Sequence, residues 1–393
     1  MEGNMTGEKK DLTFFEAASI VTGYGVGGGI MTVPYLTSLS GILPLFMLLV
    51  VGYIVSILLH LMIVEMMLRD DESSQMVEVL NKYLFRGKGG AIFTWIFFVL
   101  IIFGFYASLL AYVAGGGEIL NELISVPGWA GQVIFYAIAA SVVFFGLKVV
   151  GISEKYAIFV IIIVVLILVV DTLLKPFKLD FKAVGGVKEG LALFGMIMFS
   201  FASFFSVPQA VEGLSWNQKK APWAVIAGIG MTFVIVLVIT LMALGAAGGS
   251  NVAVTENAII GWAEALGGVP FYLGNIFVLL AMLTSFWAIS LALAVVLQER
   301  LGWKERIAWL VSTLPCLIIV ILMPLGFLDY MGIAGGIIGV LIAILMVPAY
   351  VVTRKHGVVK NPEWSLGFWG GWIFLTIVVV GYIMMAVGAA LIP

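Results

Sequence analysis

Charged residues are scarce in this chain of 393 residues: only 11% are Asp, Glu, Lys or Arg, whereas 62% are hydrophobic. Soluble domains contain about 25% charged and about 45–50% apolar residues, so the composition excludes that class. It also gives no sign of a nucleic-acid partner, because the charges lie in loops and form no basic patch with interleaved aromatic residues. The composition is typical of a protein that crosses a membrane several times.

Side chains that build covalent and metal sites are almost absent. Cys316 is the only cysteine, which excludes disulfides within the chain and cysteine-based metal sites. His60 and His356 are the only histidines, and the sequence contains no HExxH motif and no Ser/His arrangement. We therefore expect neither an enzyme nor a cofactor.

Apolar stretches make up most of the sequence, and eleven of them are long enough to cross the membrane. A helix needs about 20 residues to span about 30 Å of hydrocarbon. The approximate spans are 13–38, 41–68, 90–117, 128–147, 154–174, 190–214, 222–247, 269–298, 306–323, 330–352 and 366–391. The loops at 69–88 and 251–268 are each predicted to hold a short interfacial helix.

The placement of Lys and Arg predicts the orientation, because cytoplasmic loops carry an excess of both. With the N-terminus (1–12) in the cytoplasm, 16 of the 20 basic residues fall on the cytoplasmic side. The other four lie together in the loop between spans 5 and 6. We predict a multi-pass monomer in the cell membrane, with an extracytoplasmic C-terminus.

A glycine-rich segment interrupts the first span. Residues 22–34 read TGYGVGGGIMTVP, with five glycines within seven positions: Gly23, Gly25, Gly27, Gly28 and Gly29. Glycine costs about 1 kcal/mol relative to alanine in a helix interior, and backbone groups freed in hydrocarbon are costly unless they are satisfied. The segment therefore predicts a broken helix and a binding site near the bilayer midplane.

A hydroxyl residue, Val and Pro recur at 32–34 in span 1 and at 206–208 in span 6. The two copies are five spans apart, and this odd number means that they enter the membrane from opposite sides. The pattern predicts an all-α fold with a five-plus-five inverted repeat, broken helices 1 and 6, and one extra C-terminal helix. Its predicted parts are repeats at 13–174 and 190–353, an extracytoplasmic linker at 175–189, a cytoplasmic loop at 354–365 and a last span within 366–393.

Span 6 carries serines among phenylalanines and is followed by a proline: Phe199, Ser200, Ser203, Phe204 and Pro208. Proline lacks a backbone donor and disfavours helix at the preceding residue, Val207. Taken alone, the span would be a kinked helix, but its match to span 1 favours a second break. Two facing breaks would expose a helix N-terminus to a carboxylate, with phenylalanines as apolar walls.

Span 8 contains adjacent hydroxyl residues, Thr284 and Ser285. Hydroxyl oxygens combined with carbonyls of an unwound helix form a neutral site that suits Na⁺. The alternative is that both hydroxyls bond back to their own helix. Span 3 offers Tyr106 near mid-depth as a residue that lines the site, whereas Tyr112 lies nearer the outer interface.

Proton coupling would need a titratable group deep in the bundle. Lys155 is one candidate, through an approach to Thr284, although snorkelling to the cytoplasmic boundary is the simpler account. Glu65 is expected to pair with Arg69 at i+4, and His60 to be a packing residue. Because the central membrane is nearly free of carboxylates, we favour Na⁺ over H⁺ as the coupling ion.

Four segments together resemble the amino acid/auxin permease family, most closely its bacterial branch of hydroxy and aromatic amino acid permeases. They are GYGVGGGIMTVP, FSFASFFSVPQ, LTSFWAISLAL and FLDYMGIAGGIIGVLIAILMVPA. The resemblance implies the five-plus-five fold of the sodium-coupled leucine transporter type, secondary active transport and an amino acid substrate. Many members of the branch have His or Asn shortly after Phe-Gly-Phe in span 6, where this chain has Ala202, Ser203 and Phe204.

The resemblance also implies where the ligands bind. The substrate's amino and carboxylate groups would meet the backbone of 25–29 and of 199–203. A sodium ion would lie between the carbonyls of Thr22 and Gly25 and the hydroxyls of Thr284 and Ser285. We expect a symporter that imports a neutral, apolar or aromatic amino acid by alternating access. The alternatives are a proton-coupled permease or exchanger for another small organic solute and, less favoured, a channel.

Overall fold

The computed structural model describes residues 11–70, 76–85, 90–181, 185–250, 253–255 and 257–392. Its α-helices are α1 (Phe14–Gly25), α2 (Gly28–Ser40), α3 (Ile42–Arg69), α4 (Met76–Tyr83), α5 (Gly90–Ile124), α6 (Gly128–Phe144), α7 (Leu147–Leu173), α8 (Val187–Ser200), α9 (Val207–Gly213), α10 (Ala221–Ser250), α11 (Ala258–Leu266), α12 (Val269–Leu301), α13 (Glu305–Leu322), α14 (Phe327–His356) and α15 (Trp372–Ala389). Most of the predicted cytoplasmic N-terminus and part of the predicted linker lie outside the described residues.

Eight helical segments in the described ranges are long and apolar enough to cross a membrane, which confirms a multi-pass all-α protein. The two short helices predicted in the loops at 69–88 and 251–268 are present as α4 and α11. The inverted repeat and its boundaries remain predictions.

The break predicted in the first span is present but is shorter than the glycine run. Helix α1 ends at Gly25 and α2 begins at Gly28, so only Val26 and Gly27 form the first break. Val26 caps α1 by donating its N–H to the Thr22 carbonyl (2.8 Å). The other glycines of the run remain helical, where their lack of a Cβ allows close packing rather than unwinding.

The second break lies before Pro208 in the chain and is not caused by this proline. Helix α8 ends at Ser200, residues 201–203 form the second break, and a 3₁₀ turn at Phe204–Ser206 leads into α9. Val207 has helical angles (φ −60°, ψ −48°), so the expectation that Pro208 would push it out of the helix was wrong. Pro208 lies in the first turn of α9, where its missing N–H would have no intrahelical partner.

The two broken spans lie inside the bundle. In the apolar stretch that runs through α8 and α9, 83% of the residues are buried, and the same fraction is buried in the apolar stretch of α12. In that of α13 only 28% are buried. Helix α1 packs against α7, α10 and α12, and α2 packs against α8. Residues of α5 and α12 line the space beside both breaks.

Candidate functional site

The helix ends that flank the two breaks pack closely against each other. A Cβ atom at Gly29 would lie 2.4 Å from Ser200 Oγ, and one at Gly25 would lie 2.7 Å from the Ser200 carbonyl oxygen. Cβ atoms do not approach other atoms so closely, so both positions need glycine. The predicted facing of 25–29 and 199–203 is thus a direct contact between α1–α2 and the end of α8.

The helix ends at this contact carry opposite partial charges. Helices α1 and α8 end there with their carbonyl groups, whereas α2 begins there with N–H groups and no side-chain cap. A helix has a partial positive charge at its N-terminus and a partial negative charge at its C-terminus. The site therefore offers one pole for a carboxylate and another for an ammonium group or a metal cation.

A small cavity lies between the breaks. Its volume is about 20 Å³, and its lining residues are Tyr24, Gly25, Gly27, Ser108, Tyr112, Phe199, Ala202, Phe204 and Ile289. Four of them, Gly25, Gly27, Phe199 and Phe204, were predicted from the sequence as site residues. A water molecule needs about 10–15 Å³, so an amino acid can enter only if the walls move apart.

Polar side chains meet the first break from two directions. A Cβ atom at Gly27 would lie 2.7 Å from both Tyr112 Oη and Ser285 Oγ. The Ser203 hydroxyl is buried and has no hydrogen-bond partner among the described residues. It points at Gly25, where a Cβ atom would lie 2.9 Å away. Of these three hydroxyls, that of Ser203 is the one left without a partner in the described structure, so it is available to a ligand between the breaks.

Of the residues predicted to bind sodium, Ser285 makes the most direct contact with α1. Its hydroxyl donates to the Gly23 carbonyl (3.0 Å). The Thr284 hydroxyl instead donates to the Ala281 carbonyl of its own helix (3.0 Å), the alternative that the sequence left open. The carbonyls of Thr22 and Gly25 each accept a backbone N–H at the break, and all of these groups are buried.

Several predicted residues lie away from the cavity. The Tyr106 hydroxyl donates to the Val311 carbonyl of α13, and Tyr106 does not line the cavity. Gly28 faces Phe327 and Met331 of α14. Gly23 faces a carboxylate on α7 rather than the cavity.

Lys155 and Glu65, two of the ionisable residues weighed from the sequence, form ion pairs. Lys155 Nζ lies 3.2 Å from a Glu16 oxygen and has no described contact with Thr284. Glu65 pairs with Arg69 (2.8 Å), which confirms the predicted i,i+4 ion pair.

The cavity residues that were not predicted as site residues include two polar ones on α5, Ser108 and Tyr112. They are four residues apart on α5 and therefore share one helix face. That spacing was a usable signal. Tyr106 is two residues from Ser108 and falls on a different face.

Comparison with known sequences gives a consistent result. The model of the tryptophan/tyrosine permease family matches residues 10–389. Tyrosine-specific transport system 1 of Haemophilus influenzae is 24% identical over 379 residues, which cover 92% of this chain and 92% of that protein. Glutamine transporter 2 of Aliivibrio fischeri is 23% identical over 361 residues, which cover 87% of this chain and 89% of that protein.

Solved structures share the fold. MhsT in complex with L-phenylalanine superposes with a TM-score of 0.70 at 15% identity, covering 98% of this chain and 100% of that chain. Mhp1 is a nucleobase-cation-symport-1 family transporter, solved in a closed conformation with bromovinylhydantoin bound. It superposes with a TM-score of 0.66 at 17% identity, covering 98% of this chain and 91% of that chain. The predicted leucine-transporter-type fold is confirmed, and the curated relatives are transporters rather than enzymes. The chain belongs to the tryptophan/tyrosine permease family.

Proposed function

We propose that this amino acid transporter is a cation-coupled symporter that imports a neutral amino acid with an apolar or aromatic side chain. It works as a monomer in the cell membrane, with its N-terminus in the cytoplasm. The observation that carries this proposal is the contact of the two broken spans around a small cavity whose lining residues are almost all buried. A substrate held in a buried cavity can cross only if the cavity opens to each side of the membrane in turn, as alternating access requires.

The poles of the site fit the zwitterionic part of an amino acid. The N-terminus of α2, whose N-cap residue is a glycine, would bind the carboxylate. The hydroxyl of Tyr112 lies beside the same break and would add a donor. The carbonyl ends of α1 and α8 would bind the ammonium group, with the free Ser203 hydroxyl nearby.

The rest of the cavity suits an uncharged side chain. Phe199, Ala202, Phe204 and Ile289 form apolar walls, and no charged side chain lines the cavity in the described part of the chain. A charged substrate side chain would be buried without a partner, which is costly. Tyrosine and glutamine, for which the two relatives are named, and the L-phenylalanine bound to MhsT are all neutral amino acids.

Uptake into proteoliposomes tests this proposal directly. We expect uptake of radiolabelled L-tyrosine, L-tryptophan, L-phenylalanine or L-glutamine that a cation gradient drives above its equilibrium level. Unlabelled L-lysine and L-glutamate are expected not to compete, because the cavity has no partner for their charges. If none of the four neutral amino acids enters faster than into empty liposomes, or if lysine or glutamate competes best, the proposed substrate class is wrong.

Sodium coupling is proposed at the oxygens of Thr22, Gly25, Thr284 and Ser285. We expect the double variant Thr284→Ala, Ser285→Ala to lose sodium stimulation of uptake, because both side-chain ligands are removed. Ser290→Ala is the matched control, since its buried hydroxyl on α12 bonds only to its own helix. Uptake at a series of sodium concentrations measures the effect, and an unchanged sodium dependence in the double variant would rule out this site.

A further inference from the structure

Glu154 on α7 is a buried acid that the proposed sites leave unexplained. Its side chain is fully buried, and neither carboxyl oxygen has a hydrogen-bond partner in the described structure. It lies seven residues from the start of α7, or about 10 Å along the helix axis. The group is therefore inside the bundle and not at its surface.

The carboxyl group packs directly on α1 beside the first break. A Cβ atom at Gly23 would lie 1.9 Å from Glu154 Oε2, so the carboxyl group fills the space that a side chain at Gly23 would occupy. Gly23 is three residues before the break, and its carbonyl accepts the hydrogen bond from Ser285. Glu154 thus lies where α1, α7 and α12 meet.

No charged side chain in the described part of the chain pairs with this carboxyl group. The neighbouring Lys155 points elsewhere, because it and Lys148 bind Glu16 at 3.2 and 2.6 Å. Helix α10 brings no titratable residue to α7. The titratable residues on the other helices packed against α7 are Glu16 and Tyr24 of α1, Tyr136 of α6, Glu212 of α9, Glu264 of α11, and Tyr272, Glu299 and Arg300 of α12. None of them forms a hydrogen bond or ion pair with Glu154 in the described structure.

The protonation state of Glu154 should therefore depend on the position of α1. With α1 packed on it, an ionised carboxylate would be buried and unpaired, so the neutral protonated form is favoured. Helix α1 is joined to α2 through the two-residue break at Val26 and Gly27, and we expect α1 to tilt about this break during transport. When α1 moves away, water reaches the carboxyl group and stabilises the ionised form.

We propose that Glu154 carries a proton that is transported together with the amino acid. An O–H bond forms when the carboxylate takes up a proton of extracytoplasmic origin. The bond breaks when α1 separates from α7, and the proton passes to cytoplasmic water. One proton crosses per cycle, in addition to any sodium ion at Ser285. This inference rests on the proposed function, because it assumes an amino acid transport cycle.

The test uses the full chain in proteoliposomes that contain a pH-sensitive dye, with L-tyrosine as the probe. With wild type, we expect an inward proton gradient to drive tyrosine accumulation and tyrosine entry to acidify the lumen. Glu154→Gln keeps the shape of the protonated side chain but cannot release a proton. It should lose both accumulation and acidification yet retain tyrosine counterflow, an exchange that needs no proton release.

Asp171→Asn is the matched control, because Asp171 is an exposed acid at the other end of α7 that pairs with Lys175. It should behave as wild type in all three assays. The proposal is overturned if Glu154→Gln still acidifies the lumen, or if it loses counterflow as well, which would make Glu154 structural. Tyrosine transport without proton movement in wild type would overturn it while the proposed function stands. If wild type moves none of the four neutral amino acids, the proposed function itself fails.

Discussion

Replacing Gly27 with leucine is expected to abolish amino acid uptake while the protein still inserts into the membrane. Even a Cβ atom at this position would lie 2.7 Å from both Tyr112 Oη and Ser285 Oγ. The rest of a leucine side chain would fill the cavity of about 20 Å³ between the breaks. Substrate and side chain cannot occupy the same space, so binding should be lost.

The measurement is initial uptake of the preferred amino acid in proteoliposomes containing equal amounts of each variant. Gly190→Leu on α8 is the matched control, because a Cβ atom at Gly190 would meet nothing within 4 Å. We expect that variant to transport normally. Gly27→Ala should be impaired less than Gly27→Leu, since it adds the clash but not the bulk. Normal uptake by Gly27→Leu would mean that the substrate binds elsewhere.

The second large effect is expected on stability, when Glu65 at the end of α3 is replaced with alanine. Glu65 is fully buried and binds Arg69, the Tyr350 hydroxyl and the Leu366 N–H, all at 2.8–2.9 Å. It thereby joins α3 to α14 and to the segment that precedes α15. Removing one partner of a buried ion pair typically costs about 3–5 kcal/mol, because the other charge stays buried and unpaired.

Thermal unfolding of the purified protein in detergent should therefore show a markedly lower midpoint for Glu65→Ala. Glu65→Gln keeps an acceptor oxygen and should fall between this variant and wild type. Asp171→Asn is the comparison, because it removes an ion pair whose two side chains are both accessible to solvent. Such a pair typically contributes about 0–1 kcal/mol to stability. An unfolding midpoint of Glu65→Ala equal to that of Asp171→Asn would show that the network does not stabilise the fold.

Much of the fold was predictable because the bilayer restricts the secondary structure that a membrane-spanning segment can adopt. A span in hydrocarbon must satisfy its own backbone, so apolar length alone indicates helices. For the same reason the glycine run indicated a break, and α1 and α2 do separate at Val26 and Gly27. The pairing of Glu65 with Arg69 was predictable as well, because residues four apart share one helix face.

The details of the site depend on helix rotation and partners, which a single sequence does not contain. Tyr106 and Tyr112 were both plausible from their depth, but the rotation of α5 turns Tyr112 to the cavity and Tyr106 to α13. Pro208 marked the right region, yet the second break formed at 201–203, where α8 meets Gly25 and Gly29.

The sequence by itself determined a membrane-spanning all-α transporter with a glycine-lined break. Hydrophobic composition and the free-energy cost of glycine in a helix can both be assessed for each residue without knowing its tertiary contacts. Only the tertiary structure decided which of two adjacent charged residues faces inward. Consecutive helix positions point in directions about 100° apart, so Glu154 and Lys155 cannot both face α1 at the same depth. Packing of α7 against Gly23 buries Glu154 and leaves Lys155 to pair with Glu16, because only a glycine leaves room for the carboxyl group.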